Sequence, residues 1–90
     1  MRIYPSDRAI CFSCVPEYFE AVAKGEKTAE VRLLDHEEFG VIMRFDPKVI
    51  VLESTDTADD RTFDKDISYW HEIGKMVGKH LVLFCWREPS

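Results

Sequence analysis

The sequence predicts a small α+β domain in which a curled, mostly antiparallel five-stranded sheet, or a partial barrel, carries two helices. The chain has 90 residues, of which 46% are hydrophobic and 12% aromatic, and this composition is typical of one folded domain with a single core. Two segments space their apolar residues as a helix does, and five short apolar segments have the length of strands. Their order is strand, helix, strand, strand, strand, helix, strand, which favours one sheet with helices over its open side. We therefore treat residues 1–90 as a single domain.

The first strand and the first helix are predicted in the N-terminal part of the chain. Residues 8–14 (RAICFSC) are apolar and flanked by polar residues, as expected for a strand. A helix is predicted over 16–24, where aromatic and aliphatic residues recur at three- and four-residue spacing. Pro16 suits the first helical position because its missing N–H needs no partner there, and Gly25 suits the left-handed residue that ends a helix.

A second strand is predicted over 27–34 because apolar and polar residues alternate there. The alternation divides the strand into an apolar face with Ala29, Val31 and Leu33 and a polar face with Thr28, Glu30 and Arg32. We expect the apolar face to pack on the core and the polar face to lie at the surface.

The middle of the chain is predicted to form a β-hairpin followed by a loop. The segment HEEFG (36–40) is interpreted as a loop. Strands are predicted at 41–45 (VIMRF) and 48–54 (KVIVLES), with turn residues between them. Residues 54–66 are then expected to be a polar, acidic loop.

A second helix and a last strand are predicted in the C-terminal part of the chain. Asp66 is placed to cap a helix over 67–78, and Gly78 is placed to end it. The apolar residues on one face of this helix would be Ile67, Trp70, Ile73 and Val77. Residues 80–88 are almost continuously apolar, which predicts a strand buried on both faces.

The charge of the chain is negative and unevenly distributed. The formal net charge is −5 and the isoelectric point is about 5.1. Residues 53–66 hold six acidic residues against Arg61 and Lys65, a net of −4, so the rest of the chain carries only −1. Proteins that bind nucleic acid usually have a basic face, and the bulk composition shows none, but a local basic surface is compatible with this distribution.

Cellular location and metal binding are predicted from what the sequence contains. No apolar run resembles a signal peptide or a membrane-spanning segment, and three cysteines suit a reducing compartment, so we expect a soluble cytoplasmic protein.

Cys11 and Cys14 have the spacing of metal ligands, with Cys85 and the histidines as further candidates. A zinc site would need a second close pair, and residues three apart on a strand point to opposite faces. The sequence therefore predicts buried cysteines, no metal site and no cofactor.

Lys27, Glu30 and Arg32 form the most informative group of charged residues. Glu30 and Arg32 lie two apart on the predicted strand, so their side chains emerge on one face about 7 Å apart. A carboxylate beside a planar guanidinium can contact the edge of a nucleobase or an amide, and Lys27 adds a positive charge nearby. The alternative is a surface ladder of ion pairs, worth roughly 0–1 kcal/mol, with no ligand.

The segment PEYFEAVAKGEKTAEVRLLD resembles the opening of the ASCH domain family, whose members are PUA-like β-barrels. The family signature Gly-x-Lys-x-x-Glu-x-Arg is matched by Gly25, Lys27, Glu30 and Arg32. The resemblance implies a cleft that binds RNA or a nucleotide-derived ligand through these four residues and Thr28. The segment HEEFGVIMRF replaces the family's usual Gly-Asp turn, which predicts a trimmed barrel.

Some ASCH proteins are amidohydrolases that deacylate a modified cytidine with the signature lysine and a threonine three residues later. Glu30 stands at the position of that threonine, so the nucleophilic hydroxyl is absent. Residual amidohydrolase activity would have to use Lys27 and Glu30 as its catalytic residues, with Glu30 as a base.

A different function is compatible with the acidic segment. A small acidic protein can imitate the phosphates of nucleic acid and block a basic nucleic-acid-binding protein, as do inhibitors of host defence that phages encode. In that case residues 53–66 would bind the partner. The ordinary alternative is a solvated loop, because runs of charge usually face water.

Overall fold

The computed structural model describes residues 1–88, and within them the chain forms one open, six-stranded mixed sheet with two α-helices. The strands are β1 (Arg2–Tyr4), β2 (Ala9–Cys14), β3 (Ala29–Leu34), β4 (Val49–Ser54), β5 (Thr62–Met76) and β6 (Lys79–Trp86), and the helices are α1 (Pro16–Ala23) and α2 (His36–Phe45). The strand order is β1-β2-β4-β5-β6-β3, with β2 and β4 parallel and the other described neighbours antiparallel. The α+β class and the number of helices are confirmed, although only the first helix lies where it was predicted, and the sheet has six strands where five were predicted.

The N-terminal elements form where local sequence places them. α1 begins at Pro16, as predicted, and the chain leaves the helix through Gly25 at a φ of 73°. A side chain at that φ would be strained, and the Gly25 N–H donates to the carbonyl of Val22 at 3.0 Å. β2, β3 and β4 also lie within the predicted segments, β6 begins one residue before its predicted segment, and β1 is an additional short strand.

The predicted hairpin around residues 41–54 is wrong, because the segment before β4 is the helix α2. Asp35 caps the helix by accepting from the N–H of Glu38 at 2.8 Å, and the Glu38 side chain accepts from the Asp35 N–H at 3.1 Å. This reciprocal capping box satisfies two N–H groups that a helix start otherwise leaves without partners. Asp46 then ends the helix at a φ of 47°. The predicted loop 36–40 and strand 41–45 are therefore one helix.

The second predicted helix, over 67–78, is also wrong, because these residues belong mostly to the long strand β5. The first part of β5 pairs with β4 and the second part with β6, so the strand lies between two partners. A bulge shifts the register between Ile67 and Tyr69, and both Ile67 and Trp70 consequently pack against the core. Their three-residue spacing, which suggests a helix, is the spacing that a bulge imposes on one face of a strand.

The end of β5 is a tight turn and not a helix terminus. Val77 and Gly78 connect β5 to β6 with φ values of 47° and 74°. Positive φ at both central residues is the property of the two-residue turns that match the twist of a hairpin. Gly78 therefore allows a hairpin turn, and the acidic loop before β5 is confined to residues 55–61.

The core lies on the face of the sheet that both helices cover. Its fully buried members are Ile10, Phe19, Val22, Ile42, Ile50, Leu52, Val82 and Phe84. On β6 the residues of this face are buried, whereas Leu81, Leu83 and Cys85 on the other face are half-buried, so burial on both faces was overestimated. The three cysteines are free, with Cys11 and Cys14 buried, as predicted for small core residues. Among residues 1–88, neither helix has the length and apolar character needed to cross a membrane.

Candidate functional site

The two faces of β3 are the reverse of those predicted. Glu30 is buried, with 8% of its surface exposed, whereas Val31 and Leu33 are 44% and 38% exposed. The cause is the pairing with β6, which places Glu30 beside Phe84 on the core side of the sheet. The alternation of the strand correctly groups Glu30 with Arg32, but it does not determine which face is covered. A carboxylate in this position needs nearby positive charge to remain ionised at low cost.

A slot lies where the curled sheet brings β3 close to β2. β1 pairs only with residues 9–11 of β2, so among the described strands none covers that side of residues 12–14. Arg32 crosses from β3 to this part of β2, where its Nη2 donates to the carbonyl of Ser13 at 2.6 Å. The cavity beside this bridge, which we call the slot, has a volume of about 270 Å³. It is lined by Ser13, Cys14, Val15, Tyr18, Glu30, Val31 and Arg32.

Glu30 is the centre of the charged groups in the slot. Its Oε2 lies 3.5 Å from Lys27 Nζ, and its Oε1 lies 3.2 Å from Arg32 Nε. Lys27 Nζ also donates to the carbonyl of Ala29 at 2.5 Å, which holds the lysine over the strand. Two cations around one carboxylate give the group a charge of +1 within a chain of net charge −5.

Arg32 has one donor that the protein does not use. Its Nε is buried and close to Glu30, but its N–H is not directed at that oxygen and makes no hydrogen bond with any described residue. The guanidinium lies over the ring of Phe12, with its Cζ 4.7 Å from the ring centroid, which holds its plane in place. A buried donor without a hydrogen-bond partner is unfavourable, and the ion pair with Glu30 at 3.2 Å offsets part of this cost.

Cys14 lies against Glu30 on the β2 side of the slot. Its Sγ is 3.5 Å from Glu30 Oε2, so the thiol can donate to the carboxylate. Burial, reinforced by the negative charge of Glu30, raises the pKa of Cys14 to about 11. The thiol is therefore protonated at neutral pH and is not the activated thiolate that nucleophilic catalysis requires.

Tyr18 provides an aromatic surface at the rim of the slot. It lies on α1 and is 56% exposed. Lys27 Nζ lies 5.7 Å from the centroid of its ring. An exposed aromatic ring next to a carboxylate and a guanidinium offers stacking and in-plane hydrogen bonds to one planar ligand.

The structure brings together three of the five residues predicted to bind a ligand. Lys27 and Arg32 both contact Glu30, as their spacing suggested. Gly25 forms the turn after α1, and Thr28 is exposed, with its carbonyl accepting the Trp86 N–H at 3.0 Å. Glu30 and Arg32 line the slot itself, whereas Gly25, Lys27 and Thr28 do not.

Sequence reasoning did not assign Ser13, Cys14 and Tyr18 to the site. Ser13 and Cys14 lie on β2 and meet β3 only through the curl of the sheet. No short-range pattern contains that information. Tyr18 could have been suggested by its position on the helix that leads to the signature, one residue before the fully buried Phe19.

The acidic segment 53–66 has a different organisation. Asp56 accepts the Ala58 N–H at 3.0 Å and so stabilises its own turn, while Arg61 contacts both Asp59, at 2.8 Å, and Glu20. Hydrogen bonds from Arg61 hold the pKa of Asp59 below its usual value. Glu53 pairs with Arg2 at 2.6 Å, and the remaining acidic residues, Asp60, Asp64 and Asp66, are exposed.

Comparisons with protein-family models, with curated proteins and with solved structures found no match to this chain. The resemblance to the ASCH family therefore stays a prediction from residues 25–32.

Proposed function

We propose that the protein binds RNA or a nucleotide-derived ligand by accepting one nucleobase into the slot. The observation that supports this best is the buried carboxylate of Glu30 between two cations, beside the partly exposed guanidinium of Arg32. The cavity volume of about 270 Å³ is near the lower limit of small-molecule pockets, which are about 300–1,000 Å³, and so suits a base better than a whole nucleotide.

Four side chains in and beside the slot have distinct tasks in this proposal. Glu30 accepts hydrogen bonds from an exocyclic amine, as carboxylates do from the N4 amine of cytosine. Arg32 donates to a ring nitrogen or carbonyl of the same base. Tyr18 stacks on the face of the base, and Lys27 contacts the adjoining phosphate, as is common where proteins bind single-stranded RNA.

Hydrolysis is not part of the proposal. The family's amidohydrolases need a hydroxyl where Glu30 stands, and the nearby thiol of Cys14 is protonated at neutral pH. Incubation with N4-acetylcytidine provides the check, and release of acetate that depends on Lys27 and Glu30 would return these residues to a catalytic role.

The test measures binding of the four nucleosides and of short single-stranded RNAs, by calorimetry and mobility shift at two salt concentrations. Lys27→Ala removes a charged contact and is expected to weaken RNA binding by roughly 10–100-fold. Lys75→Ala, an exposed lysine on β5, is the matched control and should leave binding unchanged. Absence of binding by the unaltered protein, or equal binding by the two variants, would contradict the proposal.

The same experiment distinguishes the acidic-inhibitor function. A mimic of nucleic acid would not retain RNA and would instead compete with it for a basic nucleic-acid-binding protein. Neutralising Asp60 and Asp64, which are exposed within 53–66, would then abolish the competition while Lys27→Ala would not. We favour the slot because Glu53, Asp56 and Asp59 are held in contacts within the protein.

A further inference from the structure

A second cluster of polar side chains lies between α2 and the strands β5 and β6, and none of its members lines the slot. His80 on β6 is 8% exposed, and its Nδ1 contacts Glu72 Oε2 on β5. Its Nε2 lies 3.3 Å from Nδ1 of His36, the first residue of α2. The ring of Phe39 lies parallel to the His80 ring, with centroids 4.2 Å apart and an interplanar angle of 6°.

These contacts determine which nitrogen of His80 is available. A carboxylate beside Nδ1 accepts a hydrogen from it, so the neutral ring carries its lone pair on Nε2. Phe39 stacked on the ring and the carboxylate at its Nδ1 edge restrict the rotation of the ring. The lone pair of His80 is thus held towards His36, whose side chain is exposed and can adjust its orientation.

We propose that His36 Nδ1 and His80 Nε2 bind a transition-metal ion of the zinc class, with Glu72 fixing the orientation of His80. Two imidazole nitrogens bound to one zinc at about 2.05 Å with a tetrahedral angle are about 3.3 Å apart. The two nitrogens already have this separation, 3.3 Å. Without a metal the same separation allows a long N–H···N hydrogen bond between the two rings, and the ion would replace its hydrogen.

Glu72 gives His80 the carboxylate partner that metal-binding histidines usually have. Histidines that bind a metal usually donate their other N–H to a carboxylate, which fixes the tautomer and makes the ring a better ligand. On binding, His36 takes the tautomer with its hydrogen on Nε2, so both lone pairs face the ion. Among residues 1–88 no three side chains of suitable type are grouped around one point, so the proposed site has two protein ligands, fewer than the three or four of most zinc centres, and leaves its other positions to water.

The test uses the untagged, metal-free protein and a matched histidine. His71 is exposed on β5 and stacks on Tyr69, so His71→Ala removes a histidine without touching the cluster. Zinc at roughly tenfold above its dissociation constant should raise the unfolding temperature of the unaltered protein and of His71→Ala by about 5–10 °C. His36→Ala, at an exposed position, should fold normally by circular dichroism and lose at least tenfold in zinc affinity.

Two further measurements make the outcome specific. Glu72→Gln should weaken zinc binding by about 10-fold or more, the effect expected of an outer carboxylate. Cobalt(II) should give the visible absorption of a tetrahedral ion without a thiolate band, which would distinguish the histidines from the cysteines. No zinc effect on the unaltered protein, full affinity in His36→Ala, or a thiolate band would overturn the proposal.

Discussion

The slot and the acidic segment 53–66 are both rich in charge, but they hold it in different ways. In the slot, the half-buried Lys27 and Arg32 surround a buried carboxylate, and the contacts join β2, β3 and the turn after α1. In the acidic segment, Asp56 and Asp59 contact residues within two positions of themselves. Glu53 and Arg61 reach further, to Arg2 and Glu20, but those ion pairs are at the exposed surface. The number of charges therefore says less about function than their burial.

Burial matters because the dielectric environment of a buried charge differs from that of an exposed one. An exposed ion pair is screened by water and contributes little, whereas a buried charge is unfavourable unless its partners are present. We expect substitutions in the slot to affect both the fold and the ligand, and substitutions in the acidic segment to affect neither strongly.

The largest expected difference between the slot and its surroundings is in the reactivity of the cysteine thiols, because Cys14 lines the slot and Cys85 does not. With its pKa near 11, Cys14 is about 0.1% thiolate at pH 8, against about a quarter for an ordinary cysteine. Treatment of the native protein with iodoacetamide, followed by mass spectrometry of peptides, should show Cys85 modified well before Cys14. In urea both should react at similar rates. Equal rates in the native protein would mean that neither burial nor the charge of Glu30 suppresses the thiolate of Cys14.

The next largest effect is expected on the free energy of unfolding, when the carboxylate of Glu30 is removed. Glu30→Ala leaves Lys27 and Arg32 without their shared partner and should lower the free energy of unfolding by about 2–3 kcal/mol. Urea denaturation of this variant should be compared with that of Asp60→Asn, an exposed change in the acidic segment that should leave stability unaltered within error. A similar loss in the two variants would remove the distinction between the regions.

A smaller loss is expected when the bridge between β3 and β2 is removed. Arg32→Ala deletes the hydrogen bond to Ser13 O and the contact with Phe12, for about 1–2 kcal/mol. Arg32→Lys should recover part of it, because a lysine can reach the carbonyl but cannot place a planar group over the ring. If lysine restores full stability in urea, the planar contact contributes nothing.

The smallest effects are on the pH dependence of stability, and the two regions should respond at opposite ends of the scale. The pKa of Asp59 is lowered in the folded state, so its contribution is present above the unfolded value, about 3.9, and is lost as the pH falls. The pKa of Cys14 is raised, so its contribution is complete below the unfolded value, about 8.5, and is lost as the pH rises towards 11. Unfolding temperatures across pH should show a reduced acid sensitivity in Asp59→Asn and a reduced alkaline sensitivity in Cys14→Ala. An unchanged profile in both variants would contradict these assignments.

Local sequence was sufficient for elements whose signals act over a few residues. Pro16 and Gly25 mark both ends of α1, and the alternation of 27–34 identifies β3. The capping box of α2 was also present in the sequence, at Asp35 and Glu38, and could have identified that helix. It was outweighed by the β-branched residues that follow, which suggest a strand when the cap is ignored.

β5 could not be assigned in this way. A register shift changes the spacing of the residues on its core face from two to three, and three is also a helical spacing. The choice depends on pairing with β4 and β6, whose residues lie well away along the chain.

The sequence by itself determined that Lys27, Glu30 and Arg32 lie close together, because the period of a strand and the turn at Gly25 are local properties of the backbone. Only the tertiary structure decided that Glu30 faces inwards, that Ser13 and Cys14 complete the slot, and that His36 meets His80. Those contacts depend on which strands are neighbours and which face the helices cover, and that choice minimises the free energy of the whole chain and not of any one segment.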